Sequence, residues 1–518
     1  MANKSVFASM KGRLLPKATV KNAEGAPAYA YSDAHALAQA AVTGTFGGMF
    51  YQSAQDELGQ VVDLAEKLDP RLLAQAAIYA RQRGYMKDMP VVLLAALARR
   101  DPVLFRATFG RVVDNGKMLR GFVQVIRSGQ TGRKSLGSAP KAMVQNWLNT
   151  ATDRALLLTN IGNDPSLADV IKMVHPKPAT AEREALFSWI LGRPCDAARL
   201  PQEVQDWLAF KTTGKGRMPD VPFQMLTQLK LTSHQWARLA RKGSWQMVRQ
   251  NLNTFHRHGV FGVRRNIDHV ATLLNNTNAI VKARALPYQL MVTAQNIAAD
   301  MPHEIVDALH DAMESALFNV PKVYGQVVVC PDVSGSMTWP LTGHRPGATS
   351  VLRHVDVAAL MAAALQRANK GCQVLPFDYD VREIRLRPRD AVLTNAERLA
   401  RLAGGGTNCA APLVWLNKRG RAPDLVVFVS DNQSCVDTKN TGQGTAMMRE
   451  WETIKRRNPN AKLVCIDLAP YGNTQAQTRT DVLNVGGFSD AVFDQIAAFA
   501  KGQSGSDHWV REIEKIDL

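Results

Sequence analysis

The sequence predicts a multidomain α plus α/β protein: an array of helices over residues 1–320, followed by a doubly wound parallel sheet over 321–518. Short runs rich in Val, Ile, Leu and Cys occur at Gln326–Cys330, Cys372–Phe377, Leu425–Ser430 and Leu463–Leu468, the composition of strands buried on both faces. Between them lie Val355–Asn369, with Val355, Ala358, Ala359, Ala362 and Leu365 at helical spacing, and Met447–Arg457, which ends before Asn458-Pro459. The first 320 residues instead show helical patterns separated by short breaks. Examples are Arg71–Gln82, Val91–Arg100 closed by Asp101-Pro102, Ala139–Leu148, Ala181–Leu191 and Ala271–Leu286. Such a succession of helices favours a HEAT-like α-solenoid over a bundle.

The α/β half carries the most specific chemistry. Its first predicted strand runs into Pro-Asp-Val-Ser-Gly-Ser, so one loop holds Asp332, Ser334 and Ser336. Gly404-Gly405-Gly406 precedes Thr407, and the strand Leu425–Ser430 ends on Asp431. Carboxylates with hydroxyl oxygens suit a hard cation, Mg²⁺ or another divalent ion. Taken singly, each piece is an ordinary loop. Their order is the informative part: it resembles the metal-ion-dependent adhesion site of von Willebrand factor A domains. All five residues fall at strand ends, where open α/β sheets bind ligands.

Charge separates the halves. The chain has 63 basic and 45 acidic residues, net +18, of which residues 1–320 hold 39 and 25. The excess concentrates in 101–150 and 201–300, which contain Arg133, Lys134, Lys141, Arg238, Arg241, Lys242, Arg249, Arg257, Arg264 and Arg265. A regional excess of this kind reads as phosphate-facing surface. Trp236, Trp245, Phe255, His256 and His258 interleave with the cations and are of the type that stacks on unpaired bases, although the aromatic ones also suit a core.

The six cysteines have no paired spacing, which argues against zinc, and those in predicted strands read as small apolar residues of a reducing compartment. The basic N-terminus, with Lys4, Lys11, Arg13, Lys17 and Lys21, has no apolar stretch of signal-sequence length. The longest apolar run, Val91–Ala98, is too short to cross a bilayer. A cytoplasmic protein without membrane association is expected.

The combination of a basic helical half with an A domain resembles the Ro autoantigen family, the TROVE-module RNA-binding proteins, including its bacterial members. The match is carried by Gly405–Trp415, by Ser430-Asp431-Asn432-Gln433, by Leu483-Asn484-Val485-Gly486-Gly487-Phe488 and by the helix Val306–Phe318. In the helical half it is carried by Ser166–Pro178, which ends His175-Pro176-Lys177-Pro178, and by Ser244–Phe261. The resemblance implies HEAT-like repeats bent into a ring and closed by the A domain. It implies binding of Y-type non-coding RNA, with His175 and Lys177 at that face, and of misfolded RNA through a single-stranded 3′ end. Bacterial members of the family can tether an exoribonuclease, polynucleotide phosphorylase, through their Y RNA, so that partner is implied too; no role with DNA is expected. One departure is that Leu157–Asp164 lacks the basic residues the family places there, so Arg133, Lys134 and Lys141 are expected to supply that charge. Asn408 stands where family members often have Asp.

Three functions compete: an RNA-binding protein of RNA quality control, an A-domain scaffold that captures a partner's carboxylate through its metal, and a metal-dependent hydrolase. Hydrolysis needs a base or a second metal, and no His or Glu accompanies the five metal-site residues in their motifs. The expectation is therefore a binding protein and not an enzyme.

Overall fold

A computed structural model describes residues 16–518 except 215, 284, 286, 317–319, 321, 324, 342–351, 437–443, 488, 489 and 503–507. Leu286, Phe318 and Phe488, with Lys4, Lys11 and Arg13, lie outside the described residues.

A five-stranded sheet organises one compact unit. Its strands are β3 (Val327–Pro331), β4 (Gln373–Val374), β5 (Leu425–Ser430), β6 (Lys462–Asp467) and β8 (Val482–Gly486), in the order β4-β3-β5-β6-β8. Every adjacent pair is parallel. All residues of β3, β5 and β8 are buried, which explains why these segments read as unbroken apolar runs and not as alternating ones. Helix His354–Ala368 packs on β3 and β5, burying Val355, Ala358, Ala359, Ala362 and Leu365. Phe377, Phe428, Leu463 and Cys465 belong to one core cluster with Trp451, whose indole N–H donates to Asp481 at 2.8 Å. Burying so large a ring is worth several kcal/mol only if its one polar atom is satisfied, as it is here.

Two expectations for this half need correction. Within the run Cys372–Phe377 only Gln373–Val374 is regular strand, β4, although the Leu375 and Phe377 amides still donate to the Val329 and Pro331 carbonyls of β3 at 2.8 and 3.1 Å and Phe377 bridges Asp332 in the same register. The segment around Leu483, read only as a family motif, is the fifth strand, β8.

The boundary expected at residue 320 also differs from the compact units. Met1–Leu64, Leu274–Ile297 and Val306–Lys515 form one unit; Ala65–Leu273, Ala298–Ile305 and Ile516–Leu518 form the other. The N-terminal segment joins the sheet unit through buried polar bonds. Strands β1 (Val20–Lys21) and β2 (Pro27–Ala30) pair antiparallel, and β2 pairs with β7 (Asn473–Thr474). Asn22 Nδ2 donates to the Ser434 carbonyl at 2.7 Å, and Gln39 Nε2 to Asp467 Oδ2 at 2.7 Å. These partners lie more than 400 positions away, beyond the reach of any local pattern.

The second unit is helical. Pro70–Gln82 packs on Asp88–Arg100 and Pro102–Val112; Asp88–Arg100 packs on Gly116–Ser128; Gly116–Ser128 packs on Asp153–Thr159; and Ser138–Thr150 packs on Leu167–Val174. Packing thus passes between near neighbours in sequence, as in a helical-repeat array. The breaks are chemically specified: Asp101 Oδ1 accepts from the Val103 and Leu104 amides at 2.9 Å, with Pro102 at the first helical turn. The single helix expected over Ala271–Leu286 is two, Arg264–Leu274 and Thr277–Lys282. Asn276 divides them, capping the second by accepting from the Ala279 amide at 2.9 Å. Among the described residues no helix is long and apolar enough to cross a membrane.

Candidate metal centre and nucleic-acid surface

The ends of β3 and β5 bring the five expected metal-site residues to one buried place. Asp332 and Ser334 are fully buried, and Ser336, Thr407 and Asp431 are at most 6% exposed. The loop after β3 folds on Asp332, whose Oδ1 accepts from the Ser334 amide at 2.8 Å. Ser334 and Ser336 hydroxyl oxygens are 3.4 Å apart. The Gly-rich loop is stitched to this turn by two backbone bonds of 2.8 Å, Gly335 N–H to Gly405 O and Gly404 N–H to Val333 O. Gly405 adopts φ +78°, and a Cβ there would lie 2.8 Å from Asp378 Oδ2, so the close approach depends on glycine.

Sequence reasoning did not single out Ser430. Its hydroxyl donates to Asp332 Oδ2 at 2.6 Å and also accepts from the Asn432 amide at 3.0 Å, holding both acidic loops. Its signal was its place as the last residue of β5.

Burial and the neighbouring Asp431 push the Asp332 carboxyl up to about 7. Burial also raises Asp431, opposed by the Ser336 hydroxyl. Two desolvated carboxylates therefore disfavour each other's charge, the condition a bound cation relieves. Among the described residues the Thr407 hydroxyl has no hydrogen-bond partner, while its carbonyl accepts from the Cys435 amide at 2.8 Å. The donor set is all oxygen and fits a hard divalent ion. Among the described residues no group of three or more His, Cys, Asp or Glu side chains is placed to hold a metal. Any cation here depends on hydroxyls beside two carboxylates.

The expected RNA residues divide into several kinds. His175, in left-handed conformation at φ +49°, ends helix Leu167–Val174 and is exposed, as is Lys177. Helix Ser138–Thr150 grips this turn: Gln145 Nε2 donates to the Val174 carbonyl at 2.6 Å, and Asn149 Nδ2 to the Lys177 carbonyl at 3.0 Å. Lys141 lies one turn before Gln145 on the same helix face, which places it in line with the gripped turn. Arg127, which sequence reasoning passed over, approaches from Gly116–Ser128 and donates to the Met173 sulfur. Lys134 is exposed, whereas Arg133 turns inward, donating to the Leu136 carbonyl of its own loop.

The second basic stretch is reduced by packing. Arg249 is only 7% exposed, with its guanidinium over the Trp245 ring at 5.6 Å, so it is a core residue and not a phosphate contact. Trp236, Trp245 and Phe255 are buried too, and cannot stack on bases. Arg264 is engaged by Asp268 at 2.9 Å and by Glu304. Arg257 and Arg265 are exposed.

Comparison with known proteins finds similarity to Ro proteins in both sequence and fold. Residues 326–500 match the Ro60 vWA domain. The chain is 25% identical to the RNA-binding protein RO60 of Deinococcus radiodurans over 531 residues, 94% of this chain and 96% of the relative. The chain resembles Ro proteins over nearly its whole length. The crystal structure of the Deinococcus radiodurans RO (RSR) protein shares its fold, with TM-score 0.60 and 22% identity, covering 91% of this chain and 100% of that one.

Proposed function

We propose that this chain binds non-coding RNA as a member of the Ro family, gripping a Y-type RNA at the surface around Lys141, His175 and Lys177 and receiving single-stranded 3′ ends of misfolded RNA. The observation that supports this most directly is the exposed turn His175–Lys177, held by Gln145 and Asn149 beside Lys141. A turn fixed by main-chain bonds presents its cations without paying side by side for loop ordering, which is how phosphate contacts gain register on a helical RNA. The Deinococcus radiodurans relative named as an RNA-binding protein is similar over nearly the full length and supports the same reading.

The work is binding and not catalysis, in RNA quality control with an exoribonuclease, polynucleotide phosphorylase, as the degrading partner, and with no role on DNA. The cytoplasm is the setting, in keeping with six free cysteines. Asp332, Ser334, Ser336, Thr407 and Asp431 would hold Mg²⁺ or another divalent cation. When bound, that ion supplies a positive centre for a partner's carboxylate. The oxygen-only donor set favours this second, protein-directed use of the A domain beside RNA binding.

The test is the affinity of the full chain for a stem-containing RNA with a single-stranded 3′ tail, measured across salt. About 5 to 8 phosphate contacts give a slope of log K against log salt of roughly −4 to −7. A slope near zero sinks the RNA reading.

A further inference from the structure

The helical unit contains a cleft of about 810 Å³, within the roughly 300–1,000 Å³ of ligand sites; Arg238 and Lys242 of the second basic stretch line it, while Lys141, His175 and Lys177 do not. Its wall is apolar where Leu158, Met218, Phe223 and Met247 face it, and Leu158 is 50% exposed, unusual for a leucine in a helix that otherwise buries its apolar residues. Its cations are Arg217, Arg238 and Lys242, together with Arg154. Arg154 is already committed to Asp220, donating to its carbonyl at 3.1 Å and facing its carboxylate at 3.4 Å. Among the described residues Arg217, Arg238 and Lys242 have no hydrogen-bond or ion-pair partner. Asp206, which accepts from Gln202 at 2.8 Å, is the remaining carboxylate of the lining.

Three unpaired cations beside one carboxylate and an apolar wall describe a ligand with an anionic end, a flat or apolar body and a hydrogen-bond donor. Inorganic phosphate lacks the last two, and an acidic peptide lacks the compact anion. A nucleotide has all three: a phosphate for the cations, a base for the apolar wall, and a ribose or base donor for Asp206. We infer that this cleft holds one nucleotide of single-stranded RNA, at a site separate from the His175–Lys177 turn. The inference rests on the RNA reading and adds a pocket to it. Free nucleotide and chain-borne nucleotide share the same chemistry. An RNA chain is favoured, because three unpaired cations are more than one phosphate group engages.

The test uses the full chain, with three probes measured by calorimetry: a six-residue oligouridylate, uridine 5′-monophosphate, and a blunt RNA stem. The expected result is that the oligomer binds and uridine 5′-monophosphate competes for it more weakly. The double variant R217E/R238E should lose at least 10-fold in oligomer affinity while its stem affinity stays within about 2-fold. Both arginines are unpaired, so folding should survive, and circular dichroism checks that. R217Q/R238Q should give a smaller loss in the same direction. Unchanged oligomer affinity in the folded double variant overturns the pocket, as does a parent chain that binds the stem but not the oligomer; the RNA reading then stands. Uridine 5′-monophosphate binding tighter than the oligomer overturns the chain-borne form and assigns the cleft to free nucleotide. A parent that binds neither RNA overturns both.

Discussion

Ser430 donates its hydroxyl to Asp332 Oδ2 at 2.6 Å across the β3–β5 pair, so the strand that carries one acidic loop directly orients the carboxylate of the other. The geometry of the candidate site is thereby built into the sheet. Replacing Asp332 with Ala should abolish Mg²⁺ or Mn²⁺ binding, because Asp431 and the hydroxyls leave too little negative charge to offset dehydration of the ion. In the parent, saturating Mg²⁺ at about 100 times Kd should stabilise folding by about 2.7 kcal/mol, and the variant should show no such response. Thermal melts with and without Mg²⁺ decide, and an unchanged metal response in Asp332→Ala refutes the site. RNA affinity of the variant should move by less than about 1 kcal/mol, since contacts at distant sites add independently.

Lys141 and Lys177 should act through phosphate. Changing both to Gln should lower the salt slope of stem binding by about 2, close to 0.9 for each contact removed. Affinity should fall for every stem sequence alike, because backbone contacts carry no base information. A slope equal to that of the parent removes this pair from the footprint.

Arg249 should behave differently. Its burial and its place over Trp245 predict that Arg249→Ala costs about 1–3 kcal/mol of stability through broken buried interactions. RNA affinity of the folded variant should stay within about 2-fold of the parent. Denaturant melts beside an RNA titration separate the two effects. A stable variant that no longer binds RNA returns Arg249 to the interface.

Glu57 provides the pH test. It is 1% exposed, burial pushes its carboxyl up to about 7, and the Phe46 amide donates to Oε2 at 3.0 Å. The folded state therefore holds a proton that the unfolded chain releases near its ordinary value of 4.5. Between about 4.5 and 7 the folded state binds more protons, so this group's contribution to stability falls as pH rises and then levels off. Glu57→Gln should remove that slope and stabilise the protein above pH 7 by up to about 3 kcal/mol. Stability curves of parent and variant that run parallel from pH 4.5 to 8 contradict the assignment.

Much of the sheet unit was legible because buried parallel strands announce themselves as Val-rich runs, and β5 falls on the residues expected, Leu425–Ser430. The convergence of Asp332, Ser334, Ser336, Thr407 and Asp431 was legible because strand-end motifs place side chains whatever the intervening helices do. Arg249 was misread because a cation in sequence carries no sign of the Trp245 ring beneath it. Gln145 and Asn149 were missed because their spacing marks a helix face but not the turn that face will hold. The cap at Asn276 was present in the residues Asn275-Asn276-Thr277, yet the apolar spacing over 271–286 outweighed it.

The bonds from Asn22 to Ser434 and from Gln39 to Asp467 set an order of events during synthesis. Asn22 and Gln39 emerge from the ribosome before their partners, which follow more than 400 residues later. At about 5–20 residues per second it waits roughly 20–80 s for them. Over that interval Tyr29 and Leu37, both buried in the finished protein, have no native surface to cover them. The growing chain is therefore exposed to mispairing at its N-terminus until β6 and β7 are complete, and a chaperone acting there would serve the sheet made last.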